Sequence, residues 1–403
     1  MRLKRSNIAG KGLPPAVILG LGINGLGIAR SLGAKGIEVW GIHDRYDDFG
    51  RYSRHCNAVL FPPLMNGKEE FLQKLINQFG NAKNRPVLFM QSDLYVMFVS
   101  QNRSLLKKYF RFSLPDHELL MTLVSKERSA QFVVSKGLKI PETYFLDKKK
   151  TIEKNIEKIK YPCLMKPVDS FSTSFEKKTL IFSDKNLLEA FLRERGELIG
   201  RVIIQQIIPG GDTNTYQATT YVSEDAKIFP IFTMRKIRQR PPDFGITSYG
   251  ISEEVPQIRE KVQNFIKSMP YYGFISVEFK QHPQTMEWIY IELNPRLPYY
   301  NKLIYDSGIN FPYIYYNDLL GLNPGVTSIR RQRNGVRWIY LVGDFYSFKQ
   351  KYSQGQINFF NWFMSVMKSN SYAVFDRKDL TPFLRNSIHL IKSFFKKVLN
   401  TSL

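Results

Sequence analysis

The stretch that most constrains this chain is Tyr271–Asn301, YYGFISVEFKQHPQTMEWIYIELNPRLPYYN. Gly273–Phe279 is apolar and β-branched, His282-Pro283-Gln284 interrupts it, and Glu287–Leu293 turns apolar again, which predicts two strands joined by a polar turn. Glu278 lies inside the first strand, while Glu292 and Asn294 lie at the exit of the second. Side chains alternate along a strand, so Glu292 and Asn294 share a face and a hairpin brings Glu278 opposite them. Two carboxylates and an amide oxygen on rigid strands are hard donors, suited to Mg²⁺ shared with phosphate oxygens. Arg296 follows at the same two-residue step with a planar guanidinium for a phosphate or carboxylate. A half-buried hairpin with two glutamates on its solvent face has the same spacing, and periodicity alone does not separate the two readings.

The N-terminal part opens as a βαβ unit. Ala16–Gly20 reads as a strand, Gly20-x-Gly22-x-x-Gly25 with Gly27 as a turn into a helix ending near Gly36, and Ile37–Ile42 as a second strand closed by His43-Asp44. Asp44 lies 19 residues beyond Gly25, where a ribose-binding acid of a dinucleotide fold sits, so an NAD-dependent dehydrogenase is one reading. A tight strand–helix turn without nucleotide is the other. Ala58–Phe61 and Pro86–Met90 read as further buried strands around a helix at Lys68–Phe79. Asp93 lies at the carboxyl end of the last strand, as a cap for the segment Leu94–Asn102 or as a substrate contact.

Beyond residue 115 the texture changes. His117–Lys136 reads as one helix ended by Gly137, with Lys126 an ordinary surface lysine on it, and 147–160 as a charged amphipathic helix. Lys166 interrupts the apolar strand Tyr161–Val168, which makes it an edge residue or the partner of something negative. Asp169–Ser174, DSFSTS, is either an ordinary turn or a cradle for phosphate oxygens. A capped helix at Ser183–Arg195 follows, then strands at Val202–Ile208, Thr215–Val222 and Lys227–Arg235. The basic run Arg235–Arg240 at that strand's end is either solvated or faces a polyphosphate. Ile304–Tyr316 and Asp318–Gly321 read as a packed helix with a glycine stop. The tail from 326 is aromatic and basic, ending in an amphipathic helix at Leu384–Leu399 that docks on the body or lies on anionic lipid.

A length of 403 residues calls for two or three subdomains. Two distant cysteines, Cys56 and Cys163, exclude a disulfide framework and suit a reducing compartment. With neither a long apolar run nor an apolar leader, the expectation is a cytoplasmic protein, at most peripheral to the inner face of the membrane. The net charge of +23 favours phosphates and anionic membranes; no nucleic-acid motif accompanies it, so nucleic acid is not an expected partner.

Taken in order, these features resemble the ATP-grasp superfamily over roughly residues 15–325, and within it the carboxylate–amine ligases associated with cell-envelope polysaccharide genes. FTMRKIRQRPPDFG, VEFK, IELNPRLPYYN and the late GVRW and FDRKDLTPFL carry that likeness. The resemblance implies an α/β and α+β chain. Residues 1–115 would be a Rossmann-like pre-grasp domain, 116–325 a two-lobed ATP-grasp domain with ATP between the lobes, and 326–403 a C-terminal extension. It implies that Lys126 and Lys166 contact ATP phosphates, with Ser170, Ser172 and Thr173 in the loop closing over them. Gln205 and Ile208 would face adenine and Asp212 would bind ribose. Arg235 or Lys236 would steady the γ-phosphate, Glu278, Glu292 and Asn294 would hold Mg²⁺ (Mn²⁺ as the alternative), and Arg296 would stabilise the transferring phosphoryl group. The acceptor is expected beside the pre-grasp domain, near Gly22, Asn24, Gly25, His43, Asp44 and Asp93. Two departures stand out: the phosphate loop lacks glycines, and Gln205-Gln206 occupy a hinge where many relatives carry glutamate. The implied activity is an ADP-forming ligase making an amide through an acyl phosphate, from an amino acid and a glycan or other envelope precursor. The rivals are the dehydrogenase and a non-catalytic, membrane-peripheral nucleotide sensor.

Overall fold

The structure is a computed structural model describing residues 12–44, 48–146, 156–168, 179–322, 331–388 and 390. Its first unit runs β1 (Ala16–Leu19), α1 (Ile23–Gly33), β2 (Val39–His43), β3 (Asn57–Leu60), α2 (Lys68–Phe79), β4 (Val87–Met90), α3 (Asp93–Gln101) and α4 (Arg103–Leu106). The strands form a parallel sheet in the order β3-β2-β1-β4. β1 is wholly buried, as an apolar run covered on both faces must be. The expectation of a buried strand at Ala58–Phe61 fails: β3 is the sheet edge and mostly exposed.

The helix expected over His117–Lys136 is two, α5 (His117–Val124) and α6 (Lys126–Ser135). Ser125 breaks it by turning to extended backbone, and its hydroxyl accepts from the Arg128 N–H as the cap of α6. A second sheet follows: β5 (Thr143–Phe145), β6 (Cys163–Pro167), β7 (Leu180–Phe182), α7 (Lys185–Glu194) and β8 (Val202–Gln206), antiparallel in the order β5-β8-β6-β7. Cys163, Met165 and Ile204 bury one face of it against Leu188 and Leu192 of α7. Alternation leaves Thr143, Leu164, Lys166, Ile203 and Gln205 on the other.

The third sheet is the largest. Its elements are β9 (Thr215–Val222), β10 (Phe232–Arg240), β11 (Ile246–Ser252), α8 (Pro256–Lys267), β12 (Gly273–Gln281) and β13 (Trp288–Asn294). There follow α9 (Asn301–Asp306), α10 (Phe311–Leu319), β14 (Arg337–Ile339), α11 (Leu341–Ser353), α12 (Phe359–Met367) and β15 (Ser371–Tyr372). Seven strands run in the order β13-β12-β9-β10-β11-β14-β15. The basic run expected after a strand is itself β10, and β11, its antiparallel partner, was not foreseen. The single helix expected over Ile304–Tyr316 is split into α9 and α10 around Gly308, whose φ of +102° lies in the left-handed region.

The residues expected as a C-terminal extension are built into the body. β14 pairs with β11 and β15 with β14, burying Trp338 completely. Two buried aspartates fasten the segment. Asp344 takes both donors of the Arg238 fork at 2.8 Å, and Trp362 Nε1 at 2.9 Å. Asp379 accepts from Arg30 Nε at 3.0 Å, Ser53 Oγ at 2.6 Å and the Arg54 N–H at 2.9 Å, tying it to α1. Among the described residues no helix is long and apolar enough to cross a membrane. The tail helix predicted at Leu384–Leu399 is described only to residue 388 and at 390, and most of the helix predicted at 147–160 also lies outside the described residues.

Burial alone would raise the pKa of Asp379, but the bonds from Ser53, Arg54 and Arg30 outweigh it and hold the carboxyl below its ordinary value. A depressed folded-state pKa stabilises above the unfolded-state value and ceases to as pH falls through the folded one. Asp379→Asn is therefore expected to lower unfolding free energy by about 3 kcal/mol at neutral pH, through an uncompensated buried Arg30. Denaturant titrations of parent and variant should converge as pH drops below about 4.

Candidate active site

The largest sheet has two unlike faces. On one, Tyr216, Ala218, Val277 and Phe279 pack against Ile258, Val262 and Phe265 of α8 and against Leu123 and Val133 of α5 and α6. On the other, the same alternation gathers polar side chains from neighbouring strands. Glu278 stands opposite Glu292 on β13 and Gln217 on β9, and Ser276 opposite Asn294 and Thr219. The predicted hairpin and its shared face are therefore present. A bulge between Glu278 and Phe279 leaves the carboxylates in register.

Glu278 is buried and accepts from Gln217 Nε2 at 2.6 Å and Lys236 Nζ at 2.8 Å. Burial and the neighbouring Glu292 charge push its pKa up, against the pull of Lys236 and Gln217. Glu292 opens to the cleft and goes the other way. Desolvation would raise it, but the charges of Lys236, Lys166 and Lys126 and the Asn294 amide, which donates to Oε1 at 3.2 Å, bring it below the usual range. Lys166 projects from the facing sheet. Its desolvation lowers its pKa while Glu292 and Glu278 draw it up, so the lysine that interrupts an apolar strand does face negative charge. Being on β6, an inner strand, it is no edge residue. Lys126, expected as an ordinary surface lysine, is the first residue of α6. Its Nζ donates to the Pro167 carbonyl at 2.7 Å and its N–H to the Val168 carbonyl, pinning the helix to the end of β6.

Arg296 lies between two partners. Its Nε and one terminal nitrogen donate at 2.8 Å to the two oxygens of Asp93, and that nitrogen also reaches Asn294 Oδ1 at 3.0 Å. Asp93 is thus neither a helix cap, a position held by Ser92, nor a free substrate contact; it joins the first unit to the carboxylate strand. Lys280, two residues past Glu278 on the same face, is a further cation of the site at a position that the period-2 pattern marks. It is buried, and desolvation lowers its pKa against the pull of Asp243, Asp212 and Glu278. Gln217 was not foreseen, and its Oε1 is buried with no hydrogen-bond partner.

The other expected residues have partners of their own. Arg235 lies on the opposite face from Lys236 and pairs with Glu253 at 2.8 Å, because successive residues of a strand alternate. Asp212 is buried and engaged by Gln239, the Asp243 N–H and Lys351, leaving no carboxylate oxygen free for a ribose. Gln205 is buried and donates to Thr143 Oγ1 at 3.0 Å, near a buried Ile208. Ser170, Ser172 and Thr173 lie outside the described residues.

The glycine-rich turn is a packing joint, not an open nucleotide cradle. A Cβ at Gly20 would strike the Gln91 side chain, and one at Gly27 would strike Asn301. Gln91 Oε1 accepts from the Gly25 N–H at 3.3 Å, and Gly22 lies beside the same side chain. Asn24 is buried, donating to the Gln91 and Leu297 carbonyls, so of these three expected acceptor contacts two pack against Gln91 and the third also reaches the strand exit at Leu297. His43 is buried at the end of β2 and Asp44 half-buried beyond it. In this structure the Gln91 side chain occupies the turn where the dehydrogenase reading would place a pyrophosphate.

Among the described residues no three His, Cys, Asp or Glu side chains cluster as a metal site. Two carboxylates with Asn294 and the unpartnered Gln217 oxygen fit a hard ion that takes its remaining ligands from phosphate.

No protein-family model matches the chain. It is similar to the D-aspartate ligase of Enterococcus faecium, at 24% identity over 316 residues covering 73% of this chain and 74% of that protein. Its structure is similar to the L-amino acid ligase of Bacillus licheniformis (TM-score 0.59, 16% identity, 80% of this chain and 78% of that one). It is also similar to N5-carboxyaminoimidazole ribonucleotide synthetase of Thermus thermophilus (TM-score 0.58, 14% identity, 80% and 81%). A third likeness is to the biotin carboxylase domain of the Hydrogenobacter thermophilus 2-oxoglutarate carboxylase, solved with MgADP (TM-score 0.62, 14% identity, 80% and 72%).

The two glutamates separate by burial. Glu292→Ala should leave unfolding free energy within about 0.5 kcal/mol of the parent while cutting Mg²⁺-dependent ATP turnover about 10²-fold or more. Glu278→Ala should lose turnover and also about 3–5 kcal/mol of stability, because it strands Lys236 in the interior. Calorimetry beside a phosphate-release assay reads both.

Proposed function

We propose that this chain, a member of the ATP-grasp superfamily, is an ATP-dependent carboxylate–amine ligase that joins an amino acid to a cell-envelope precursor. The observation that carries this reading is the carboxylate pair Glu278–Glu292, in register on neighbouring strands, with Lys236 bonded to it from the same sheet, Lys166 facing it from the smaller sheet, and Lys126 and Arg296 at its margin. Such an excess of cations suits a polyphosphate, and phosphoryl transfer needs positioning and charge neutralisation, not a protein nucleophile.

In this reading Lys166 of the smaller sheet and Lys126 of α6 hold the nucleotide phosphates, and Lys236, whose buried ammonium donates to Glu278, Gln239 and the Gly245 carbonyl, keeps the carboxylate pair in place beside the γ-phosphate. Gln205 and Ile208 line the adenine end. Glu278, Glu292 and Asn294 would hold Mg²⁺, which when bound neutralises phosphate oxygens. A substrate carboxylate oxygen attacks the γ-phosphorus, the bond to the β-bridging oxygen breaks, and ADP leaves. The amine nitrogen then attacks the acyl carbon, phosphate leaves with the acyl C–O bond electrons, and the nitrogen loses a proton to give the amide. Arg296, already aligned by Asp93, faces the transferring group. Because Asp93 belongs to the pre-grasp unit, the acceptor is placed beside His43, Asp44 and the Asp93–Arg296 pair rather than in the filled glycine turn. A reaction that consumes ATP suits a cytoplasmic protein.

Two similar proteins are named for ligation of D-aspartate and of L-amino acids, which supports an amino acid as one substrate and makes D-aspartate the first to try. The test is ADP and phosphate release from MgATP with both enantiomers of the amino acids supplied in pairs with uronates and peptidoglycan precursors. ADP release dependent on one pair, with a new mass equal to the two substrates less water, is the expected result. ADP formation that needs neither amine nor carboxylate would sink the ligase assignment. Asp93→Asn should reduce that turnover by about tenfold or more by loosening Arg296, with MgATP affinity changed less.

A further inference from the structure

The face of the molecule formed by α11 and α12 has no role in the chemistry above and is built unlike the rest of the surface. α12 reads FFNWFMSVM and has no buried residue. Its inner side is nevertheless anchored: Trp362 bonds to Asp344 and stacks on Phe348 at 4.5 Å, and Ser365 accepts from Arg238. The helix is therefore held in place with its other side bare. That side is a stripe at helical spacing, Phe359, Phe360, Phe363, Met364 and Met367, each between 38% and 67% exposed. Ring contacts continue it onto α11, from Phe359 through Trp362 to an exposed Phe345.

The charge around the stripe says what covers it. Between Leu341 and Lys368 the only acid is Asp344, which is fully buried. Lys349 and Lys368 are exposed in the same segment, and an exposed Arg240 lies over Tyr346 at 4.7 Å. A two-fold pairing with a second copy would set this patch against itself and bring those cations together without a counter-charge. A strand of nucleic acid is tracked by cations interleaved with stacking rings, whereas α12 has no cation between Phe359 and Met367 and carries methionine among its rings. Apolar side chains on one anchored helix, in a segment whose exposed charges are lysines and which has no exposed acid, match an anionic bilayer surface, which takes the rings into its interface and the cations onto its headgroups. We propose that the α11–α12 face docks this protein on anionic membrane. The proposal is independent of the ligase reading.

The test uses the full chain and sedimentation with vesicles, of phosphatidylcholine alone or of phosphatidylcholine and phosphatidylglycerol in equal parts. The parent should bind the mixed vesicles and not the neutral ones. A Phe360→Asp/Phe363→Asp double variant and a Lys349→Glu/Lys368→Glu double variant should each lower partitioning by about tenfold or more. All four residues are exposed, so unchanged thermal melts and unchanged ATP turnover are the folding controls. Four outcomes would each overturn the proposal: no binding of the parent to mixed vesicles, binding retained in both variants (contact elsewhere, such as residues 384–403), a parent dimer that the phenylalanine variant splits, or oligonucleotide binding that either variant abolishes.

Discussion

Two carboxylates directly opposite each other on neighbouring strands repel, and the sheet is arranged around that repulsion. Glu278 and Glu292 are in register on β12 and β13, where side-chain alternation leaves them no way to turn apart. What makes the arrangement tolerable is the supply of positive charge: Lys236 from two strands away and Lys166 from the sheet across the cleft. Each lysine is also costly to desolvate alone, so the cations and anions justify one another's burial. The groove between the sheets therefore exists as a charged layer before any ligand enters. Its composition, with cations in excess, sets the kind of ligand it takes.

A charged layer of this kind needs a stiff frame, and the last part of the chain supplies it. Strand β10 carries Lys236 into the cleft and, past a bulge, Arg238 into the fully buried Asp344 of α11. One strand thus connects the chemistry on one side to the C-terminal helices on the other. Asp379 does the same for the first unit through Arg30. Residues that looked like an appended tail close the sheet edge and brace both neighbouring units.

How far the sequence could be read depended on whether the signal was local. The carboxylate hairpin was legible because period-2 alternation and a polar turn lie within thirty-odd residues. The same rule would have found Lys280 and Gln217, and it already forbade Arg235 and Lys236 from sharing a face. The fold class was legible from the resemblance, and the fold neighbours agree with it. The Asp93–Arg296 pair was not legible because its members lie 203 residues apart, a pairing no local pattern reports. Asp212 was misjudged for a related reason: its three partners come from β10, the turn after it and α11. The glycine motif was ambiguous in principle, since glycine marks only that something approaches closely. Here that something is Gln91 and Asn301.

The Arg296–Asp93 pair spans two parts of the chain, so the aim of one cation at the cleft depends on the seating of the first unit. Its two bonds are charge-assisted, worth roughly 1.5–3 kcal/mol each, enough to hold a long side chain in one orientation. An arginine tied along one edge keeps its other guanidinium N–H groups free to donate, and it meets an anion without first giving up its aspartate. A partner 203 residues away therefore works as a gauge. Any shift of the first unit against the large sheet turns the guanidinium with it, and the direction of a single charge reports how that unit is seated.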